Sequence, residues 1–178
     1  MKYFYVCVAV LTFAAFAAAQ PGVVIKTDPQ RPTFAAVAMD GKIIDLTALR
    51  GKIIVLNLWF VNCPNCIEEI HLLNQLVDAY KDNKDVVFLG LAASSKPNIE
   101  KFLLKNPLKY QIIPDAQMII LSKFGTVDKK VQVDVPFPMH YVLDRDGKIV
   151  VKVQGIKGVE EVKTELVKQF PPKVTASR

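Results

Sequence analysis

Two cysteines separated by two residues are the side chains in this sequence best suited to chemistry. They stand in the segment Cys63-Pro64-Asn65-Cys66. A cysteine thiolate is the nucleophile of thiol–disulfide exchange. A second thiol close by can then displace the mixed disulfide that the first one forms. The spacing therefore predicts a redox-active dithiol in which Cys63 attacks and Cys66 resolves.

The elements on either side of the pair place it at the start of a helix. The apolar run at 53–59 (IIVLNLW) predicts a buried strand, and apolar residues at helical spacing predict a helix over 64–81. A helix start carries unpaired N–H groups and partial positive charge, which stabilise a thiolate. Pro64 suits the first helical position because it has no N–H to leave unpaired. We therefore expect Cys63 to be the more exposed cysteine and Cys66 to lie behind the helix start.

Two other uses of the cysteine pair stay open. A zinc site would need two further ligands, and the two histidines, His71 and His140, are far apart in the sequence. An inert structural disulfide is the second alternative. A pair so closely spaced closes a very small loop, which constrains the unfolded chain little. The spacing therefore favours a chemical role over a structural one.

The first residues predict export from the cytoplasm. Lys2 is followed by an apolar run over 3–19 that ends in small residues. This pattern predicts a signal peptide at 1–19, cut after Ala19, with an uncleaved membrane anchor as the alternative. Cys7 would leave with the signal peptide. We expect an exported, periplasmic protein in an oxidising compartment, where paired cysteines form disulfides.

Length, composition and charge indicate one globular domain. The chain has 178 residues, of which 51% are hydrophobic, and this suits a single core. The formal charge is +6, but 23 basic and 17 acidic residues are interspersed, so we expect no nucleic-acid partner and a monomer. We predict a linker at 20–32, a domain at 33–170 and a C-terminal tail at 171–178.

Strand and helix patterns alternate along the domain. Segments 33–38 and 42–46 flank Asp40-Gly41 and predict a hairpin. The other predicted elements are a strand at 86–92, a helix at 97–105, a strand at 110–113, a helix at 117–124, a hairpin of 140–143 with 148–153, and a helix at 159–170. Such alternation predicts an α/β fold with a central mixed sheet and helices on both faces.

The segment LNLWFVNCPNCIEE at 56–69 resembles the active-site stretch of the TlpA/ResA-like branch of the thioredoxin superfamily. The resemblance extends over about 33–170. It implies a thioredoxin fold with an added N-terminal hairpin and a protein disulfide reductase that needs no bound cofactor. The implied partners are disulfide-bonded exported proteins, such as those of cytochrome c maturation, and a membrane thiol reductant that recycles the enzyme.

Three further positions match the pattern of this branch. Asn57 stands where cytosolic thioredoxins carry a buried acid, and we interpret it as a core amide with satisfied hydrogen bonds. Glu69 shares a helix face with Cys66 and could accept its proton, although a solvated surface glutamate is the alternative. Pro138 matches a cis-proline, which would leave the backbone of Phe137 free to pair with an extended substrate.

Two positions depart from the pattern. Asn62 replaces a common tryptophan, and Phe137 replaces a small or β-branched residue. The resemblance implies that these two positions shape substrate fit. The residues expected to contact substrate are Trp59, Asn62, Pro64, Asn65 and Phe137.

A copper-binding or metal-delivery protein is the alternative function. Two thiolates and an imidazole suit copper, so Cys63, Cys66 and His140 are the candidate ligands. In exported copper carriers of this fold, however, the cysteines follow a C-x-x-x-C spacing, whereas the spacing here is C-x-x-C. A single histidine in a strand is more often structural, and we expect His71 to lie on a helix surface.

Overall fold

A computed structural model of the chain describes residues 30–127 and 133–170. The predicted signal peptide, the linker before residue 30 and the tail at 171–178 lie outside the described residues. The strands within these ranges are β1 (Ala35–Val37), β2 (Ile43–Asp45), β3 (Ile53–Trp59), β4 (Val86–Ala92), β5 (Gln111–Ile113), β6 (Thr126–Val127), β7 (Val133–Asp134), β8 (Met139–Leu143) and β9 (Ile149–Gln154). The helices are α1 (Pro64–Glu68), α2 (Ile70–Tyr80), α3 (Lys96–Leu103), α4 (Gln117–Phe124) and α5 (Gly158–Gln169).

A five-stranded sheet forms the centre of the domain, with strand order β5-β4-β3-β8-β9. Strands β3, β4 and β5 run parallel, whereas β8 and β9 are antiparallel to their neighbours. The predicted mixed sheet is therefore confirmed. The central strand β3 is buried over all seven residues, as its unbroken apolar run predicts for a strand covered on both faces.

Alternate residues of β3 face two different apolar clusters, as the period of a strand requires. Ile53 and Val55 pack on the face covered by α2 and α5, with Leu73 and Leu166. The opposite face packs against α4 and the N-terminal hairpin, through Ile54, Leu56, Leu58, Leu46, Ile120 and Phe124. Helices therefore cover both faces, as predicted.

The predicted N-terminal hairpin is confirmed as the antiparallel pair β1–β2. The turn of this hairpin reaches the edge of the central sheet, where the N–H of Met39 donates to the carbonyl oxygen of Ile112 at 2.8 Å. A second pair, β6–β7, was not predicted. Each of its strands has two residues, which is too short to show any periodicity.

The single helix predicted at 64–81 is wrong in one respect. The structure divides it into α1 and α2, and Glu69 is the residue between them, with φ −84° and ψ −8°. The backbone of Glu69 stays near the helical region, so α2 continues the apolar spacing of α1. Spacing alone therefore could not reveal the interruption. In the described part of the chain, no helix has the length and apolar character needed to cross a membrane.

Gly90 lies at a crowded crossing in β4, directly opposite Asn57 of β3. A Cβ atom at this position would lie 2.8 Å from Cε2 of Tyr110 and 2.9 Å from Nε1 of Trp59. Real Cβ atoms do not approach other atoms so closely. The absence of a side chain at Gly90 therefore leaves the space through which the Tyr110 ring crosses β4.

We expect Gly90→Ala to destabilise the protein by about 1–3 kcal/mol, because the added methyl group must displace the rings of Trp59 and Tyr110. Urea unfolding of the disulfide form measures this change. Leu104→Ala is the control: Leu104 is 85% exposed, so its substitution should change stability by no more than about 0.5 kcal/mol. Equal stabilities for Gly90→Ala and the wild type would contradict the crowding argument.

Candidate active site

Cys63 and Cys66 form a disulfide across the first turn of α1. Cys63 is the N-cap residue with an extended backbone, and Pro64 occupies the first turn. The Sγ atom of Cys63 accepts a hydrogen bond from the backbone N–H of Cys66 at 3.2 Å. An amide directed at sulfur stabilises a thiolate more than a thiol. The helix start therefore favours ionisation at Cys63.

The predicted difference in exposure between the two cysteines is wrong for this disulfide form. Cys63 and Cys66 are each 4% exposed. Both pack into one apolar cluster, against which the half-buried rings of Phe60 and Phe137 also pack. The other buried members of this cluster are Trp59, Ala92, Ile99 and Ile112. Exposure therefore does not distinguish an attacking cysteine here, whereas the hydrogen bond to Cys63 does.

The residues predicted to contact substrate divide into two groups. Asn62, Pro64 and Asn65 are exposed around the disulfide. Trp59 is only 2% exposed and packs against Phe102 with ring centroids 5.3 Å apart. The substrate-contact role predicted for Trp59 does not fit this position, because the ring lies beneath the surface that a substrate would meet.

The Phe137–Pro138 peptide bond is cis, as predicted. Pro138 is buried, and its carbonyl oxygen accepts from the N–H of Gly155 at 3.0 Å. The Phe137 ring meets that of Phe60 edge-on, with centroids 5.3 Å apart. Among residues 30–127 and 133–170, no backbone hydrogen bond engages Phe137. The backbone of Phe137 therefore has no backbone partner within these ranges.

Glu69 is fully buried, so the alternative of a solvated surface glutamate is wrong. One carboxylate oxygen, Oε1, accepts from Nδ2 of Asn57 at 3.2 Å. The other oxygen, Oε2, lies 3.1 Å from Nε2 of His140. Burial of a charged group is costly unless its polar atoms are paired. The two partners satisfy this requirement at a point one helical turn beyond Cys66.

Asn57 is 4% exposed and joins three side chains. Its Oδ1 atom accepts from the hydroxyl of Tyr110 at 3.0 Å, and its Nδ2 atom also lies 3.4 Å from Nδ1 of His140. Burial, reinforced by the nearby charge of Glu69, raises the pKa of Tyr110 far above its usual range. The phenol therefore stays protonated and donates. The interpretation of Asn57 as a satisfied core amide is confirmed.

His140 is the member of this cluster whose partners the sequence did not reveal. It is fully buried, and its two ring nitrogens face Glu69 and Asn57. In the described part of the chain, no three His, Cys, Asp or Glu side chains are grouped to hold a metal ion. The arrangement of His140 therefore gives no support to the copper alternative. His71 lies exposed on α2, as expected.

A dithiol pair at the start of the helix that follows the central strand, in this sheet order, defines a thiol–disulfide oxidoreductase with a thioredoxin fold. The chain belongs to the AhpC/TSA family, whose model matches residues 28–152. Within the thioredoxin superfamily it is a ResA/TlpA-like member, which confirms the resemblance seen in the sequence.

Individual relatives agree with this assignment. The chain is 29% identical over 143 residues to the thiol-disulfide oxidoreductase ResA of Bacillus anthracis, covering 80% of this chain and 78% of that protein. ResA of Geobacillus thermodenitrificans is 27% identical over 135 residues, covering 76% and 73%. Among solved structures, a thioredoxin family thiol:disulfide interchange protein from Chlorobium tepidum matches with a TM-score of 0.62 at 20% identity. That match covers 78% of this chain and 97% of the other, and it supports the fold.

Two tyrosines, Tyr110 and Tyr141, allow the contribution of the hydrogen bond to Asn57 to be measured. Tyr110→Phe removes the donor to Oδ1 of Asn57, and we expect it to cost about 1–3 kcal/mol because a buried amide oxygen loses its partner. Tyr141 is 1% exposed, and its hydroxyl has no hydrogen-bond partner within the described ranges.

Tyr141→Phe is therefore the matched control, expected within about 0.5 kcal/mol of the wild type. Urea midpoints of the two oxidised variants, compared at equal m-values, measure the difference. Equal losses in both variants would show that the hydroxyl of Tyr110 contributes nothing specific.

Proposed function

We propose that this protein is an exported oxidoreductase that reduces disulfides of envelope proteins, in processes such as cytochrome c maturation. The observation that carries the proposal is the Cys63–Cys66 pair across the first turn of α1, with an amide directed at the sulfur of Cys63. The names of the ResA relatives, thiol-disulfide oxidoreductases, support thiol–disulfide exchange as the reaction. Reduction, rather than oxidation, is the direction implied by the TlpA/ResA-like branch.

The first step is attack by the Cys63 thiolate on one sulfur of the substrate disulfide. A bond forms between Sγ of Cys63 and that sulfur, while the second substrate sulfur leaves as a thiolate and takes up a proton. The product is a mixed disulfide between protein and substrate. Cys63 attacks because the N–H of Cys66 stabilises its thiolate.

The second step is release by Cys66, whose thiol must first lose its proton. We assign Glu69 as the acceptor, because it lies one helical turn beyond Cys66 and is held by Asn57 and His140. The Cys66 thiolate then displaces the substrate sulfur from Cys63. The substrate has gained two electrons, and the protein is left as the disulfide.

The surface around the disulfide supports binding of an extended segment. The backbone of Phe137, next to Pro138, can pair with a substrate chain as an added strand. Exposed Asn62, Pro64 and Asn65 then contact the residues on either side of the substrate disulfide. A groove of about 450 Å³ extends from Asn62 along α3, and it offers room for the rest of the segment.

Export and recycling complete the proposal. The segment 1–19 would direct the chain to the envelope, where the domain acts as a monomer. Because each cycle leaves the Cys63–Cys66 disulfide, a membrane thiol reductant must return two electrons to it.

Cys66→Ser should trap substrates covalently, because attack by Cys63 stays intact while release is blocked. Cys63→Ser should trap far less. Cys66 lies within the first turn, and the hydrogen bond from a backbone N–H that stabilises a thiolate is made to the sulfur of Cys63, not to that of Cys66, in the described part of the chain. Each variant is expressed with its export segment, thiols are quenched with acid, and adducts are resolved on non-reducing gels.

Equal adducts from both variants, or none from Cys66→Ser, would contradict the mechanism. Wild-type protein, quenched with acid in the same way, tests the direction of the redox reaction. A reductase is held as the dithiol in the envelope, so alkylation should label both cysteines. Wild type held as the disulfide would instead indicate an oxidase. Mass spectrometry of the adducts identifies the substrates.

Glu69→Gln should slow release of a preformed mixed disulfide by about 100-fold near neutral pH, because the amide cannot accept a proton. The difference should shrink above about pH 8.5, where cysteine ionises without help. Stopped-flow release of a fluorescent peptide from Cys63 measures both values. Glu68→Gln, an exposed change next along the chain, is the control. Equal release rates for the two variants would remove Glu69 from the mechanism.

A further inference from the structure

The donors and acceptors in the hydrogen-bonded cluster of Tyr110, Asn57, Glu69 and His140 can be assigned one after another, starting at Tyr110. The phenol has one hydrogen to donate and gives it to Oδ1 of Asn57 at 3.0 Å. The Glu69 carboxylate can only accept, so the end of the Asn57 amide that faces it must be the Nδ2 group, and the Oδ1 end faces Tyr110. The Nδ2 group must then point toward Glu69 and His140, as the structure has it.

The two hydrogens of the Asn57 amide determine the state of the His140 ring. One is directed to Oε1 of Glu69 at 3.2 Å, and the other toward Nδ1 of His140 at 3.4 Å. A ring nitrogen that faces an N–H must be an acceptor and so carries no proton. The proton of neutral His140 then resides on Nε2, which lies 3.1 Å from Oε2 of Glu69 and donates to it.

We propose that His140 is a positioning residue for the redox reaction. Held by Asn57 as the neutral tautomer protonated at Nε2, it supplies the second hydrogen bond to the Glu69 carboxylate. It thereby sets the pH at which Cys66 gives up its proton to Glu69. This inference rests on the role proposed above for Glu69, and it adds a residue that acts through that carboxylate.

The surroundings of His140 hold the ring in this arrangement. Val153 lies opposite it in the β8–β9 register, and a Cβ atom at Gly158 would lie 3.0 Å from Cδ2 of the ring. At these two contacts, strand β9 and helix α5 present Val153 and Gly158, neither of which carries a titratable group. Among the described residues, Tyr110 is the other titratable side chain hydrogen-bonded into the cluster, and Cys66 lies one helical turn from Glu69.

Loss of the hydrogen bond from His140 should change the pH dependence of release in one direction. A hydrogen bond to a carboxylate stabilises its ionised form. Without that bond, Oε2 of Glu69 would be buried without a partner, and the carboxylate would be protonated at higher pH. Since release needs Glu69 ionised to accept the proton of the Cys66 thiol, the rise of release rate with pH should move to higher pH.

The tautomer is tested first on the wild type, which carries no folding risk. The chain contains two histidines, so the exposed-site variant His71→Asn assigns both in a long-range ¹H–¹⁵N spectrum of untagged protein. We expect the ring proton of His140 to lie on Nε2 and not on Nδ1, in the disulfide and dithiol forms alike. A signal protonated at Nδ1, or at both nitrogens, overturns the inference.

Two variants then test the consequence. His140→Leu removes the donor, and the rise in release rate should shift upward by about one pH unit, which is about a tenfold loss of rate at lower pH. His140→Gln offers an amide N–H near the same place and should restore the wild-type profile. A structural role alone would change stability in both variants without moving the profile.

The outcomes separate this inference from the function on which it rests. If Glu69→Gln moves the rise of release rate to the pH at which cysteine ionises without help, while His140→Leu retains the wild-type profile, the inference is wrong and the role of Glu69 stands. If Glu69→Gln leaves the profile unchanged, the role of Glu69 fails and the inference fails with it. If His140→Leu does not fold, the spectrum of the wild type decides.

Discussion

A carboxylate without any exposed surface must receive a hydrogen bond at each oxygen, and most of this site follows from that requirement at Glu69. Its two hydrogen-bond partners come from the central strand β3 and from β8, and the partner from β3, Asn57, also accepts from Tyr110. Side chains from separate elements therefore bind one buried carboxyl group. Glu69 lies three residues beyond Cys66 in the chain, and its two partners hold the carboxyl group in one position.

The order of strands in the sheet makes the arrangement possible. Asn57 lies directly opposite His140 on one side and directly opposite Gly90 on the other. With β8 antiparallel beside β3, His140 meets the centre of the sheet instead of its edge. The mixed topology thus does more than close the fold. It brings a histidine from the last third of the chain into the same layer as an asparagine from the first third.

Local patterns predicted the elements well. The bounds of β3 were predicted residue for residue because seven apolar-rich positions follow a turn and precede the cysteines. The position of the disulfide at a helix start followed from the same order. Partners distant in sequence could not be predicted: Glu69 and His140 lie 71 residues apart, and each residue type is as common on surfaces or in other roles. Trp59 was wrongly predicted to contact substrate, because closeness to the cysteines in the sequence does not show whether a side chain is buried.

The absence of a side chain at Gly90 predicts a sequence pattern that can be sought in homologues. An aromatic ring can cross β4 to reach the asparagine of β3 only where β4 presents hydrogen in place of a methyl group. Glycine at this position and tyrosine just before β5 should therefore change together during divergence. A homologue that gains alanine there must give up the crossing, and with it the hydrogen bond from tyrosine to the amide. The co-occurrence of these two residues would thus mark which members of the family share this proton arrangement, before any of their structures is known.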